Sequence, residues 1–163
     1  MLRRSAARAE RGQRSAARRA RTVNIREAFD IDDPPASIPW GIAESELQAR
    51  LQAAGLRRVT RAYCVLPVTV LGGLQCFLGF RFRGPDNGLS ELELYRTSQR
   101  NRRASFAEFQ RHVEAVFGPP TSTLPGFGDF PNHEWQLPGG IQIVHHVLDR
   151  FGPEEHLTIR CTL

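Results

Sequence analysis

The pattern of hydrophobic and polar residues predicts two helices and six strands. In the first helix, predicted from Glu44 to Ala54, Leu47 and Leu51 share one face at helical spacing. The second helix is predicted from Ser105 to Phe117, because Ser105 and Glu108 have the spacing of an N-terminal capping box. Its apolar stripe consists of five residues: Phe106, Phe109, Val113, Val116 and Phe117.

Six other segments alternate in hydrophobicity or are rich in β-branched and aromatic residues, which is typical of strands. Glycine pairs at 72–73 and 139–140 indicate hairpin turns between neighbouring strands. Pro67, which has no backbone N–H, predicts a sheet edge or a bulge at its position. The predicted strands are Arg61–Leu71, Leu74–Arg83, Leu89–Arg96, His133–Leu137, Ile141–Arg150 and His156–Leu163.

The order of these elements, α-β-β-β-α-β-β-β, defines the predicted fold class. Sequential hairpins give an antiparallel sheet, and amphipathic helices bury their apolar stripes against one face of such a sheet. We therefore predict a two-layer α+β protein with a mainly antiparallel sheet of about six strands and two helices on one face. Three prolines between residues 34 and 39 indicate a linker over residues 22–39. We expect residues 1–37 to be a disordered basic tail and Pro-rich linker, and residues 38–163 to be a single domain.

Two short motifs flank the predicted helices. Trp40-Gly41 leads into the first helix, and Phe117-Gly118-Pro119-Pro120 follows the second. In these motifs the segment from Ile38 to Arg160 resembles small bacterial α/β proteins of unknown function. The element order is more distantly similar to small lipoproteins of the outer-membrane assembly type and to toxin-immunity proteins. This resemblance implies a fold, and it transfers no functional residues.

Charge is unevenly distributed along the chain. Residues 1–26 hold nine Arg and one Glu, a net charge of +8, whereas residues 27–163 carry a net charge of −3. The first segment is low in complexity and poor in large apolar residues, so we expect it to be disordered. Alternatively, it is a basic arm that binds nucleic acid, a transit peptide, or translated upstream sequence before a start near Val23. All 22 basic residues are Arg, which indicates a GC-rich, bacterial genome.

The chain has no hydrophobic run long enough to span a membrane. Its three cysteines are scattered, and each lies among apolar residues, as reduced thiols in a protein core do: Cys64, Cys76 and Cys161. We therefore expect a cytoplasmic protein that has no membrane partner. The oligomeric state is left open.

Four of the five histidines fall in the last quarter of the chain. His145 and His146 are neighbours in a predicted strand, so their side chains should point to opposite faces, with His145 the more buried. A turn that pairs residue 138 with residue 141 would place His133 opposite His146, and Glu134 beside His145 as its partner. No three histidines converge and no spacing is typical of zinc, so we predict no metal, no cofactor and no catalytic residue.

Two loops are candidate binding surfaces. Four arginines cluster just before the second helix, where they would suit an anion or an acidic partner: Arg96, Arg100, Arg102 and Arg103. Phe127 and Phe130 lie in the Gly/Pro-rich loop of residues 121–132, and exposed aromatic residues of this kind suit a protein partner.

The leading hypothesis is a non-enzymatic, cytoplasmic protein-interaction module of unknown partner, either immunity-like or secretion-associated. One alternative is nucleic-acid binding through residues 1–26. A further alternative is a small hydrolase that uses His133, His146 and His156.

Overall fold

The computed structural model describes residues 24–84, 87–96, 101–149 and 152–162. Within these ranges two α-helices accompany one antiparallel sheet of ten strands. The helices are α1 (Glu44–Leu51), which continues into a short 3-10 helix (Gln52–Ala54), and α2 (Arg102–Phe117). The strands are β1 (Ala28–Asp33), β2 (Ala36–Pro39), β3 (Arg57–Thr60), β4 (Tyr63–Val70), β5 (Leu74–Gly84), β6 (Asn87–Tyr95), β7 (Ser122–Leu124), β8 (Asn132–Leu137), β9 (Ile141–Asp149) and β10 (Pro153–Cys161).

The prediction of about six strands is wrong, and the protein is mostly β. The strands follow the order β2-β1-β4-β5-β6-β10-β9-β8-β7, and β3 pairs separately with β4. The four strands that the sequence pattern missed are β1, β2, β3 and β7. They are short, and β3 is exposed at every position, so hydrophobic alternation does not mark it.

The expected linker over residues 22–39 is instead a β-hairpin in its described part. Phe29 pairs with Ile38, and both side chains are almost completely buried. Pro34 and Pro35 lie in the turn between β1 and β2, and Pro39 ends β2. The prolines therefore lie in the turn and at the end of the hairpin, where they are compatible with strand pairing. Residues 1–23 lie outside the described ranges, so the disordered tail stays a prediction.

Both helices lie on the same side of the sheet, which we call the covered face. From α1, Gln48 Nε2 donates to Cys64 Sγ on β4 at 3.4 Å, and the rings of Phe106 and Phe109 on α2 stack on His145 of β9. The strand register places these residues on one face together with the main core row, Cys64, Phe80, Leu92, Ile159 and Ile143. The opposite side, which we call the open face, is covered by neither helix.

Pro67 lies in the middle of β4, where the outer side of that strand changes partner. β3 pairs with residues 63–65, and β1 pairs with Thr69 and Val70. Pro67 falls between these two segments and pairs only with Phe77 on its inner side, among the described residues. The sheet therefore loses no ladder hydrogen bond to the missing N–H of proline.

The predicted capping box at the start of α2 is wrong. The helix begins at Arg102, and the side chain of Asn101 caps it by accepting a hydrogen bond from the backbone N–H of Ala104 at 3.0 Å. Ser105 is therefore a buried residue of the first turn rather than the cap. Its hydroxyl donates a hydrogen bond to Glu155 on β10.

Candidate functional site

The hairpin between β8 and β9 differs from the predicted one by one residue. Leu137 pairs with Ile141, so Pro138, Gly139 and Gly140 form a three-residue loop. Gly139 and Gly140 both have positive φ angles, 85° and 73°, which residues with side chains rarely adopt. Because side chains alternate between faces, this shift of one residue moves every side chain of β8 to the face opposite the predicted one.

The four C-terminal histidines consequently form two pairs on opposite faces of the sheet. His133 lies opposite His145 on the covered face, and His146 lies opposite His156 on the open face. The predicted opposite orientation of His145 and His146 is confirmed, as is the deeper burial of His145. His133 is separated from the other two histidines of the hydrolase hypothesis. In the described ranges, no group of three or more His, Cys, Asp or Glu side chains is placed to hold a metal ion.

On the covered face, a cluster with a buried centre joins α2, β9 and β10. His145 Nε2 lies 2.9 Å from Glu155 Oε1, and both side chains are inaccessible to solvent. The Ser105 hydroxyl donates to Glu155 Oε2 at 2.7 Å, and His145 Nδ1 lies 3.0 Å from Gln110 Oε1. The predicted partner of His145, Glu134, is wrong. Glu134 pairs with Val144 and lies on the open face.

This cluster contains a serine, a histidine and a carboxylate, but it is not a nucleophilic triad. In such a triad the histidine stands between the serine and the carboxylate and takes the serine proton. Here Glu155 stands between Ser105 and His145, so no base contacts the hydroxyl oxygen. The arrangement can hold α2 against the sheet, and it offers no accessible nucleophile.

On the open face, a second cluster crosses four strands. The Tyr63 hydroxyl donates to Glu93 Oε2 at 2.8 Å, and His156 Nδ1 lies 2.6 Å from Glu93 Oε1. Tyr63 reaches Glu93 by passing over Gly79, where an added Cβ would lie only 2.2 Å from the tyrosine hydroxyl. The missing side chain of Gly79 therefore makes room for this contact.

The open-face contacts shift several pKa values. The hydrogen bond between Glu93 and His156 lowers the pKa of Glu93 and raises that of His156. Burial, followed by the hydrogen bond to Glu93, raises the pKa of Tyr63. Burial lowers the pKa of His146, and the neighbouring His156 lowers it further. His146 and His156, although directly opposite each other, are thus shifted in opposite directions.

The exposed rim of the open face carries ion pairs. Glu91 accepts from Arg81 Nε at 3.1 Å and from Arg160 Nε at 2.5 Å. The Arg81 guanidinium also lies 5.0 Å from the centroid of the Tyr63 ring. Both guanidinium groups therefore have a carboxylate partner within the protein.

Three of the four arginines predicted to cluster before α2 lie in the described ranges, and each has a different environment. Arg96 turns inward, where its Nη1 donates to Glu108 at 2.8 Å and to the Ser105 hydroxyl at 3.2 Å. Arg103 instead forms an exposed ion pair with Asp129. Arg102 is half-buried, and its buried Nε has no hydrogen-bond partner among the described residues. Arg100 lies outside the described residues.

The aromatic loop lies against the N-terminal half of α2. Phe130 packs on Phe106 with ring centroids 5.3 Å apart, while Phe127 remains 40 % exposed. Leu124 on β7, which the sequence analysis did not select, is 48 % exposed. Together with Arg103 and Asp129, whose ion pair ties the loop to α2, these residues form what we call the loop–edge surface: Arg103, Leu124, Phe127, Asp129 and Phe130.

No protein-family model matches the chain, and no curated protein matches it either. Among solved structures, it is similar to a DUF4309 family protein (YjgB) from Bacillus subtilis. The two share 16 % sequence identity with a TM-score of 0.42, over 74 % of this chain and 78 % of that one. So distant a similarity does not assign the chain to a family. Within the described residues, no helix combines the length and apolar character needed to cross a membrane.

Proposed function

We propose that the protein is a non-enzymatic, cytoplasmic protein-interaction module that binds an extended segment of a partner at its loop–edge surface. One observation carries this proposal. Three large hydrophobic side chains are exposed in the described ranges, and two of them, Leu124 and Phe127, belong to the last strand of the sheet, β7, and to the loop that follows it. Exposed apolar side chains that are grouped, rather than scattered, are typical of interaction sites.

The position of β7 supports an extended partner. β7 is the last strand in the sheet order, and only β8 pairs with it among the described strands. Such an edge presents backbone N–H and C=O groups to which a partner strand can add, with side-chain contacts giving specificity. Leu124 and Phe127 would supply those contacts, and the partner segment would be extended and apolar at alternate positions.

The anchored loop also supports binding. Phe130 and the Arg103–Asp129 ion pair fix the loop that carries Phe127 to α2. A loop that is ordered before binding loses less conformational entropy when a partner arrives. In agreement with the immunity-like or secretion-associated hypothesis, the partner would be one dedicated protein.

The test is site-specific photo-crosslinking in the native host. A photoreactive phenylalanine analogue is placed at position 127 and, in a control, at Val59 on β3, which is similarly exposed at 49 %. We expect an adduct with one protein from position 127 only, identified by mass spectrometry and then purified. Leu124→Ser and Phe127→Ser should each weaken its binding about tenfold or more, whereas Val59→Ser should not. Equal adducts from both positions, or unchanged affinity in both serine variants, would reject the proposal.

Nucleic-acid binding remains the second proposal, and the net charge of +8 over residues 1–26 supports it. Binding through phosphate contacts weakens steeply with salt, because it releases condensed counterions. Deleting residues 1–22 should therefore abolish binding to a single-stranded or double-stranded oligonucleotide in a filter-binding assay. Equal affinity of the truncated and full-length chains would exclude the tail as the binding element.

A further inference from the structure

We propose that a cavity on the open face binds a small organic molecule that carries a guanidinium group. The cavity has a volume of about 410 Å³ and lies where β6 ends and β10 begins. None of the loop–edge residues belongs to its described lining, so this site is separate from the one in the proposed function. Five residues of the lining lie on the open face: Tyr63, Glu93, Tyr95, Glu154 and His156.

Carboxylates outnumber basic side chains in the lining of this cavity. Glu93, Glu154 and Glu155 accompany Arg96 and His156. The Arg96 guanidinium is directed to the covered face, where a carboxylate of α2 pairs with it. Glu155 is buried, and its two oxygens contact other side chains of the covered face. A ligand therefore meets mainly Glu93, Glu154 and the imidazole between them, and this charge is complementary to a cation.

Glu154 has hydrogen-bonding capacity for a ligand. Its side chain is 49 % exposed, and its contact within the described ranges is with His156 Nε2 at 3.3 Å. A carboxylate offers about four lone-pair sites, so this contact uses only a small part of what Glu154 can accept. A guanidinium can donate two parallel N–H groups to a single carboxylate, which fixes its position as well as its charge.

The protein's own side chains show which kind of cation this surface accommodates. The Arg81 guanidinium lies 5.0 Å from the centroid of the Tyr63 ring and 3.7 Å from Glu93. His156 places its two ring nitrogens against Glu93 and a second carboxylate. Both are planar groups with nitrogen donors, held by a carboxylate beside a phenol ring. A guanidinium ligand fits this chemistry, because it stacks on aromatic rings and pairs with carboxylates.

The size and the walls of the cavity favour a small molecule. Sites for such ligands typically measure about 300–1,000 Å³, and this volume of about 410 Å³ lies near the lower limit. The Tyr95 ring stacks on Phe77 with centroids 5.7 Å apart and contacts His156 on its other neighbouring strand. Tyr95 is therefore positioned before a ligand arrives, so that binding costs less conformational entropy.

His156 occupies part of the same site and should compete with the ligand. Its Nδ1 lies 2.6 Å from Glu93, whereas its Nε2 lies 3.3 Å from Glu154. The longer contact is the one that a guanidinium at Glu154 would replace. Removal of the imidazole should therefore strengthen binding, which is the opposite of what loss of a merely supporting residue would do.

Titration of the full-length protein with phenylguanidinium, followed by two-dimensional ¹H–¹⁵N NMR, tests this proposal. We expect saturable shifts at the backbone amides of Tyr95, Glu154 and His156, and none with phenylurea, the neutral molecule of the same shape. Glu154→Gln should weaken binding about threefold or more, as for loss of an accessible ion pair, and His156→Gln should tighten it. Glu134→Gln is the matched control, because it changes an open-face carboxylate of β8 outside the described lining, and it should leave the affinity unchanged.

Four outcomes would overturn the proposal. Equal binding of phenylurea would show that charge is not recognised. Equal losses in Glu154→Gln and Glu134→Gln would indicate unspecific attraction to acidic groups. Weaker binding in His156→Gln would contradict the position of the cation at Glu154. Tighter binding of a blocked tripeptide with a central arginine than of phenylguanidinium would assign the site to a protein segment instead of a small molecule. None of these outcomes bears on whether the loop–edge surface binds a partner.

Discussion

The two faces of the sheet each carry a histidine–carboxylate pair, and the two pairs differ mainly in their surroundings. On the covered face, the side chains of His145 and Glu155 are both completely buried at 2.9 Å. On the open face, His156 and Glu93 are 18 % and 15 % exposed at 2.6 Å. The shorter contact is thus the one nearer to water, so distance alone does not rank the two pairs.

What separates them is the cost of losing one partner. A buried polar group that loses its hydrogen-bond partner stays in a medium of low polarity, whereas an accessible one recruits water. His145 and Glu155 also connect a helix to two strands, while His156 and Glu93 connect strands already joined by backbone hydrogen bonds. The pair on the covered face therefore stabilises the packing of a helix on the sheet, whereas the pair on the open face shifts the pKa values of accessible side chains.

The largest expected effect comes from Glu155→Ala. This change leaves the buried His145 ring and the Ser105 hydroxyl without their shared partner, so we expect the free energy of unfolding to fall by about 3–5 kcal/mol. Glu154→Ala is the control, because its side chain is 49 % exposed and contacts His156 at 3.3 Å. That change should cost no more than about 0.5 kcal/mol in urea unfolding. Similar losses in both variants would remove the distinction between the faces.

Gly79→Ala is expected to have the next largest effect, and it acts on the open face. The added Cβ would lie 2.2 Å from the Tyr63 hydroxyl, which must then leave Glu93. We expect a loss of about 1–3 kcal/mol in chemical unfolding, as for overpacked sites. In a Tyr63→Ala background the same substitution should be nearly neutral. A full loss there would mean that the backbone, and not Tyr63, requires glycine.

The pH dependence of stability separates His156 from His146. The pKa of His156 is raised above its ordinary value of 6.5, so its stabilisation is complete below that pH and is lost as pH rises through the folded-state value. The pKa of His146 is lowered, so its contribution is present above pH 6.5 and is lost as pH falls.

Unfolding free energies measured across this range should therefore change in opposite senses. The advantage of wild type over His156→Gln should shrink as pH increases, and the advantage over His146→Gln should grow. Because both groups are partly accessible, we expect each effect to stay within about 1 kcal/mol. Parallel pH profiles for the two variants would contradict the opposite shifts.

The smallest effect on stability is expected at the loop–edge surface. Leu124→Ser and Phe127→Ser change residues that are 48 % and 40 % exposed at the edge of the sheet, so each should change the free energy of unfolding by less than about 0.5 kcal/mol. Thermal denaturation of the purified variants checks this. A larger loss would indicate that these residues support the fold, and the crosslinking result would then need a different explanation.

The sequence predicted the elements that have strong periodicity and missed those specified by a partner elsewhere in the chain. Phe109 and Val113 lie in the core as the helical stripe requires, and Leu157 and Ile159 lie in it as alternation requires. In contrast, β3 and β7 exist because β4 and β8 pair with them. Pairing through the backbone leaves little trace in side-chain pattern.

The buried cluster contains one residue whose position the alternation of β10 could have indicated. Glu155 falls on the same alternating face as Leu157 and Ile159, but the predicted strand began only at His156, so the core position of this carboxylate was missed. That position alone indicates a buried partner. The identity of the partner could not be read, because Ser105 fits a capping box by spacing and Asn101 takes the cap instead. The predicted register of the hairpin at Gly139 was also wrong, because a glycine pair suits the three-residue loop found here as well as the two-residue turn that we predicted.

The three-residue length of that hairpin loop should also be kept during evolution. Most insertions and deletions in surface loops are tolerated, because closing a slightly different loop costs little. At Pro138-Gly139-Gly140, however, loss of a single codon would reverse which side of β8 faces the helices. The half-buried His133 and the almost fully buried Trp135 would then turn to the open face, and the residues next to them would take their places. Descendants of this gene should therefore vary freely in the composition of their surface, yet keep the number of residues in this turn.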